Sequence, residues 1–557
     1  MERPGLSNDY SAPSARSLNA PALWALSILV GTVAGLGAIA FRALIAVLHN
    51  LVFLGKLSAI YDANVHTPPS PWGPFVILVP VVGALGVVFL VKNFAPEAKG
   101  HGVPEVMDAV YHRKGIIRPV VSVVKALASA LSIGSGASIG REGPIIQIGS
   151  SFGSTIGQIL GVPAWQRITL IAAGAGGGIA ATFNTPIGGV LFAVEIILHE
   201  VSARTLVPVF TATATATYIG QLYFGPHPSF SIPELETPFF AVAKPAVLVA
   251  YACLGAIAGL VSALFIRFIY GAEEIFEKHV KGGYYVQHVI GMLLVGSLMY
   301  AMMYHFGHYY IQGVGYATIQ EILSGVRVPL YLLVLLFAAK LLATSLTLGS
   351  GASGGVFSPA LFLGATSGAA WGVALNHFFP ALNISPAAFA IAGMGGVVGG
   401  ATGAAMAAIV MIFEMTLDYT VIVPMTLTVA ISYAVRRSLI KDSIYTRKLT
   451  LRGESVPETM RADVQLSGGA ARIMRQVPPE TLAALVTASG EGSPGSSAAV
   501  LSDDSLWDVV NKMRANNASV ALVTEKDGHF TAADVKGVIT RKDLIDALAV
   551  DMELFNG

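Results

Sequence analysis

One cysteine, Cys253, stands in 557 residues, so an intrachain disulfide and any multi-cysteine metal site are excluded. Charge is almost as scarce. Asp, Glu, Lys and Arg make up 12% of the chain, about half of what a soluble globular protein carries. The 34 basic and 33 acidic residues leave a net charge of +1, which offers no basic footprint for nucleic acid. Hydrophobic residues reach 54%, so most of the length reads as a polytopic membrane protein rather than a soluble one. The first 20 residues, MERPGLSNDYSAPSARSLNA, lack the charged-then-apolar order of a cleaved signal peptide and read as a polar tail.

Glycine is abundant, 60 residues, and part of the glycine pattern is written twice. Gly134-Ser135-Gly136-Ala137-Ser138-Ile139-Gly140-Arg141-Glu142-Gly143-Pro144 returns as Gly349-Ser350-Gly351-Ala352-Ser353-Gly354-Gly355-Val356-Phe357-Ser358-Pro359. The offset is 215 positions, from Gly134 to Gly349 and from Pro144 to Pro359, and it also carries Gly149, Gly153 and Gly157 onto Gly364, Gly368 and Gly372. A second offset, 219, carries Gly174, Gly176, Gly177 and Glu195 onto Gly393, Gly395, Gly396 and Glu414. Each copy reads as a glycine-rich loop feeding a helix that starts at its proline, where the missing N–H costs nothing. Backbone N–H groups and the positive helix end make such a unit an anion site. Glycines four residues apart also serve close packing of membrane helices. The halves run over roughly 75–220 and 290–435, and the repeat alone leaves open whether they are parallel or inverted.

Apolar runs fill the chain from Pro21 to Leu449, among them 23–48, 75–91, 168–181, 246–268, 330–348 and 421–434. Several runs, such as 120–133, 168–181, 187–198, 387–400, 404–413 and 421–434, fall below the roughly 20 residues that cross a bilayer core. They are interrupted by Gly and Pro, the pattern of broken helices that meet inside ion pathways. After Leu449 the composition turns ordinary and soluble. A Gly/Ser-rich linker at 488–497 precedes an expected helix (503–516), strand (519–524), turn (Lys526-Asp527-Gly528), strand (535–540) and helix (541–549). Thr540 at a strand end with Asp543 three residues on fits a helix cap as well as a ligand contact.

Three ordered motifs, Gly100-His101-Gly102-Val103-Pro104, Gly140-Arg141-Glu142-Gly143-Pro144 and Gly355-Val356-Phe357-Ser358-Pro359, together with Tyr445 in Ile444-Tyr445-Thr446-Arg447, resemble the CLC family of voltage-gated chloride channels and chloride/proton antiporters. The resemblance covers residues 21–449. The tail at 450–557, clearly so from about 498, resembles a CBS (cystathionine-β-synthase-type) module. The resemblance implies an all-α polytopic membrane domain of two inverted repeats of broken, tilted helices, followed by a small α/β CBS-like regulatory domain. It implies a homodimer in the plasma (inner) membrane, with the tail at 1–20 and the C-terminus cytoplasmic. It also implies that three helix starts converge on one dehydrated anion. A half charge about 5 Å away at an effective dielectric of about 20 is worth roughly 1–2 kcal/mol, against several kcal/mol of desolvation, so one helix end is too few.

By the resemblance, Glu142 is the gate, a tethered carboxylate that competes for the anion's place and leaves when protonated or displaced. A pairing of Glu142 with Arg141, or its capping of the helix, is the structural alternative. His101, Gly102, Val356, Phe357 and Tyr445 are the implied chloride-binding set, and Thr540 and Asp543 the implied contacts to an adenine nucleotide. Apart from chloride, protons, the bilayer and that nucleotide, no cofactor, metal or nucleic-acid partner is expected. Two residues depart from the family pattern. His101 stands where a serine hydroxyl is usual, and Ile196 stands where exchangers carry an internal, proton-delivering glutamate. Isoleucine carries no proton, so the expectation is a chloride channel gated by Glu142. The alternative is a chloride/proton antiporter in which Glu195 or His199 relays protons. A third reading, a rhomboid-like intramembrane serine protease, rests on Gly351-Ala352-Ser353-Gly354 with His377 as base.

Overall fold

The computed structural model describes residues 17–232, 245–454, 456, 461–462, 470–478, 497–504, 506–516, 518–525 and 534–544. The chain divides into two compact units, Met1–Met460 and Arg461–Gly557. Most of the N-terminal tail, the linker at 488–496, the Lys526-Asp527-Gly528 turn and the expected helical stretch 545–549 lie outside the described residues.

The first unit is built of helices. Six of those described are long and apolar enough to cross a membrane: Ala20–Leu54, Gly73–Asn93, Pro245–His279, Gly283–Phe306, Leu330–Gly349 and Tyr419–Leu439. Between them lie shorter apolar helices, Val120–Gly134, Pro186–Leu198, Pro386–Thr402 and Ala405–Thr416, the interrupted segments that Gly and Pro predict. The interruptions fall at matching places. Ala164–Phe183 ends at Asn184 (φ 60°) and Pro386–Thr402 at Gly403 (φ 83°), positions related by the 219 offset.

The two halves are inverted about a pseudo-two-fold, and reciprocal contacts mark it. Gly140 N–H donates to Gly355 C=O at 2.8 Å and Gly355 N–H to Gly140 C=O at 2.6 Å, so a residue pairs with its own repeat mate across an antiparallel bridge. Only a two-fold relation produces such self-pairing. The carboxylate of Glu195 accepts from Met406 and Ala407 N–H at 3.1 and 2.6 Å, and Glu414 accepts from Ile187 and Gly188 N–H at 3.1 and 2.7 Å. Each half therefore satisfies the helix start of the other, where N–H groups have no partner of their own. Lys125 Nζ donates to Ala98 and Gly100 C=O, and Lys340 Nζ to Ile311 and Gly313 C=O. This last pair exposes a third register, an offset of 213 from Gly100 to Gly313. Gly100-x-Gly102 recurs as Gly313-x-Gly315, with Gly102 (φ 86°) and Gly315 (φ 80°) both at left-handed positions starting a helix.

The spaced glycines serve helix contact as well. A Cβ on Gly149 would lie 2.1 Å from Gly174 O, and one on Gly364 would lie 2.4 Å from Gly393 O. The helix pair Glu142–Ile159 and Ala164–Phe183 thus packs backbone on backbone, as does Phe357–Phe378 on Pro386–Thr402.

In the second unit Ser497–Leu501 pairs in parallel with Val520–Thr524, which pairs antiparallel with Val535–Thr540. The helix Leu506–Ala515 packs on this sheet through Leu506, Val509 and Met513. Residue 497, expected to end a linker, instead opens the first strand. Its run Ser-Ala-Ala-Val-Leu is small and weakly patterned alone, and the Val520–Thr524 strand beside it supplies the ladder.

If backbone contact is what the glycines permit, Gly153→Ala and Gly368→Ala will each lower the thermal unfolding midpoint in detergent. Their new Cβ atoms would meet Leu170 O at 2.1 Å and Phe389 O at 2.2 Å, an overpacking cost of about 1–3 kcal/mol or more. Gly271→Ala, in a helix with nothing within 4 Å, will hold or raise it by up to about 1 kcal/mol. Wild-type midpoints for both buried variants would contradict this packing.

Candidate anion site

Three glycine-rich turns hand over to helices at one place. Val103–Tyr111 starts one residue before Pro104, whereas Glu142–Ile159 and Phe357–Phe378 start two residues before Pro144 and Pro359. The expectation that each helix begins at its proline is therefore corrected. The prolines sit inside the first turn, which tolerates them because its N–H groups lack intrahelical acceptors. The turns touch through backbone. A Cβ on Gly143 would fall 2.1 Å from His101 O and 3.1 Å from Gly355 Cα, and Gly140 is bridged to Gly355. At Gly143 the backbone contact leaves no room for a side chain.

Glu142 is 1% exposed, and its carboxylate lies at the start of the Phe357–Phe378 helix. Oε2 accepts from Ser358 N–H at 3.2 Å. Oε1 accepts from the Tyr316 hydroxyl at 2.5 Å and from the Ser358 hydroxyl. Arg141 is not its partner. The Arg141 guanidinium lies 5.3 Å from the centroid of the Tyr316 ring, and its Nε has no hydrogen-bond partner among the described residues. One carboxylate thus gathers three donors at a positive helix end. Sequence reasoning missed two of its partners. Ser358 is the unassigned position of Gly-x-Phe-x-Pro, and Tyr316 follows Gly315 in the unrecognised 213 register. Tyr316 also lines a cleft with Tyr61, His66, Tyr310, Gln312 and Thr318.

The remaining expected residues gather beside the same turns. His101 is 4% exposed, with its ring 6.0 Å from that of Tyr445. His101 Nε2 lies 3.3 Å from the Tyr270 hydroxyl, which donates to Ile444 C=O at 2.6 Å. Tyr445, 2% exposed, meets Phe192 edge-on at 6.4 Å. Gly102 holds the left-handed turn before Val103, and a Cβ there would meet Gln147 Oε1 at 2.7 Å. Val356 precedes Phe357, whose ring packs on Phe183 at 5.8 Å. Tyr270, from the long helix Pro245–His279, carries no motif that sequence could have flagged.

Ile196 is buried in a π-helical turn, Ala193–Leu198. Glu195 is held by the N–H groups of Met406 and Ala407, so its geometry is that of a helix cap rather than a free relay. His199 Nδ1 lies 3.1 Å from the Tyr111 hydroxyl. The protease reading is contradicted. Ser353 Oγ is buried and bonded to Ala98 C=O at 2.7 Å and Ser129 Oγ at 2.9 Å, while His377 is exposed at the far end of its helix beside Phe378. Among the described residues His377 makes no hydrogen bond to Ser353.

In the tail, Asp543 Oδ2 accepts from Thr540 N–H at 2.9 Å and Thr540 Oγ1 at 2.7 Å, and Asp543 also pairs with Arg475. This is the geometry of a helix cap. Burial pushes the Asp543 carboxyl up, but the Thr540 hydrogen bonds and the Arg475 guanidinium outweigh it and hold the group below the usual carboxylate range.

Residues 82–437 match the protein family described as voltage gated chloride channel, and residues 497–550 match the CBS domain. The chain is 32% identical over 406 residues to the H(+)/Cl(-) exchange transporter ClcA of Yersinia pseudotuberculosis, covering 72% of this chain and 82% of that one. A slow cyanobacterial Cl-/H+ antiporter superposes with a TM-score of 0.66 at 25% identity, over 78% of this chain and 99% of that one. A eukaryotic CLC transporter shares the fold over 94% of this chain and 97% of that one, with a TM-score of 0.65 at 20% identity. The protein is a member of the voltage-gated chloride channel (CLC) family, a multi-pass membrane transport protein rather than an enzyme, with a CBS domain at its C-terminal end.

Proposed function

We propose that this protein exchanges chloride for protons across the membrane, with Glu142 as both gate and proton carrier. CLC-type anion transport follows from the family. Exchange is the reading favoured here over the channel that Ile196 suggested, since the relatives sharing about a third of the residues are named exchange transporters. The observation that carries the proposal is the Glu142 carboxylate on the first turn of the Phe357–Phe378 helix. An anion needs those same donors. When chloride takes them, the displaced carboxylate loses its stabilising partners and binds a proton. When the carboxylate returns, it expels the anion and releases that proton. The exchange of ligands is near balanced because each charge-assisted hydrogen bond lost by the carboxylate, about 1.5–3 kcal/mol, is regained by the ion. His101, Gly102, Val356, Phe357 and Tyr445 would line the anion's route. Ile196 favours the channel reading, and the transport assay separates the two.

In proteoliposomes an imposed chloride gradient will drive protons against their own gradient. Glu142→Gln will keep chloride flux and lose proton coupling. Chloride flux without proton movement in the wild type would make the protein a channel, and unchanged flux and pH dependence in Glu142→Gln would remove Glu142 from the mechanism.

Tyr316→Phe deletes one donor to the ionised carboxylate and leaves the neutral acid less affected. Its pH–flux profile will move to higher pH by about one unit, the equivalent of about 1.4 kcal/mol. An unmoved profile would show that the Tyr316 bond does not bear on the gate.

For the tail we propose that an adenine nucleotide binds the CBS domain and tunes transport, with Thr540 and Asp543 as the candidate ribose contacts. Titrating the full chain in detergent with ATP and AMP will show saturable binding, weakened in Thr540→Ala. Binding of neither nucleotide would leave Thr540 and Asp543 as a helix cap alone.

A further inference from the structure

The hydrogen bonds around His101 assign its protons. The single hydrogen of the Tyr270 hydroxyl is given to Ile444 C=O at 2.6 Å, so the oxygen presents a lone pair to His101 Nε2 at 3.3 Å. Nε2 is then the protonated nitrogen of the neutral ring, and Nδ1 carries the lone pair. Nδ1 is buried and has no hydrogen-bond partner among the described residues. Buried polar atoms are nearly always satisfied, and one that is not calls for a cause. A serine hydroxyl here would rotate to donate to an anion at no cost in charge. This imidazole cannot. A bare Nδ1 repels an anion and becomes a donor only by gaining a proton.

Burial of the ring is the first thing that opposes a positive charge on it, and the cations Lys448, Lys125 and Arg452 oppose it further. Lys125 rests on the carbonyls of Ala98 and Gly100, Lys448 pairs with Glu273 at 2.8 Å, and Arg452 pairs with Glu105. The polar faces against the ring are the tyrosines 270 and 445. A further positive charge on the ring is opposed while it stands alone, and an anion beside it supplies the missing opposite charge. Proton and anion therefore favour each other's binding, a reciprocal linkage. We propose that His101 binds the transported anion as an imidazolium, taking one proton from solution onto Nδ1 for each anion that settles beside it. The inference rests on the reading that the anion passes these turns, and it gives the chain a proton-binding group where Ile196 offers none.

Isothermal titration of the detergent-solubilised full chain with chloride tests this in the Glu142→Gln background, where the gate no longer titrates. Running it in HEPES and in Tris, whose ionisation enthalpies differ, counts the protons taken up. The expected count is about one per chloride, with affinity falling about tenfold per pH unit above the ring's titration. His101→Ser in that background will bind chloride with no proton uptake and no pH dependence. Tyr270→Phe frees the ring to place its one hydrogen on Nδ1, and will reduce uptake while keeping affinity at high pH. Zero uptake with His101 present, or equal uptake in His101→Ser, would overturn the proposal while leaving Glu142 untouched. Absence of chloride binding would overturn both the proposal and the anion site beneath it.

Discussion

The paired hydrogen bonds between Gly140 and Gly355 hold the rest of the molecule in register. They join a residue to its own repeat mate, so whatever one half presents at the axis the other half meets in reverse. Because the two turns lie in backbone contact, Gly143 and Gly355 have no space for a side chain, and the helix starts at Glu142 and Phe357 are brought side by side. The reciprocal caps from Glu195 and Glu414 repeat the arrangement at a second pair of helix starts. Unpaired N–H groups are costly inside a membrane protein. One pair of helix starts is closed by Glu195 and Glu414, and of the other pair the Phe357–Phe378 start is met by Glu142.

Glu142 is set apart from those caps by the asymmetry of the repeat. The first copy places a carboxylate where the second places Phe357, and Ser358, the mate of Gly143, supplies both a hydroxyl and an N–H to it. A structural cap such as Glu195 bonds two N–H groups of a single helix. Glu142 instead starts one helix and caps another, with a hydroxyl from a third element, Tyr316, completing its set. Donors of this kind at a positive helix end are also what an anion would need, and the proposed competition rests on that match.

The repeat and the broken short helices could be read from the spaced glycines and prolines of the sequence, whereas the inversion of the halves and the place of Glu142 came only through the family resemblance. The third register was not read, since Pro104 has Ala317 as its counterpart and His101 has Val314, leaving only two glycines to carry the match. Tyr316 and Ser358 were missed because their meeting with Glu142 joins residues 174 and 216 positions apart, a relation no local pattern encodes. Tyr270 was hidden in the same way. The equivalence of Glu195 and Glu414 was visible, but their role as mutual caps needed the fold. Ile196 is a different case. Its missing carboxylate favours a channel, whereas the likeness of 72% of the chain to a named exchange transporter favours exchange.

The central claim is that the Glu142 carboxylate and the transported anion compete for one position on the Phe357–Phe378 helix. Anomalous diffraction from crystals of Glu142→Ala grown in bromide tests it most directly. The account predicts an anomalous peak where the carboxylate now lies, within hydrogen-bond distance of the Ser358 N–H and the Tyr316 hydroxyl. The same crystals of the wild type at high pH will lack that peak. Bromide at that position in the wild type with the carboxylate still seated, or its absence there in Glu142→Ala, would contradict the account.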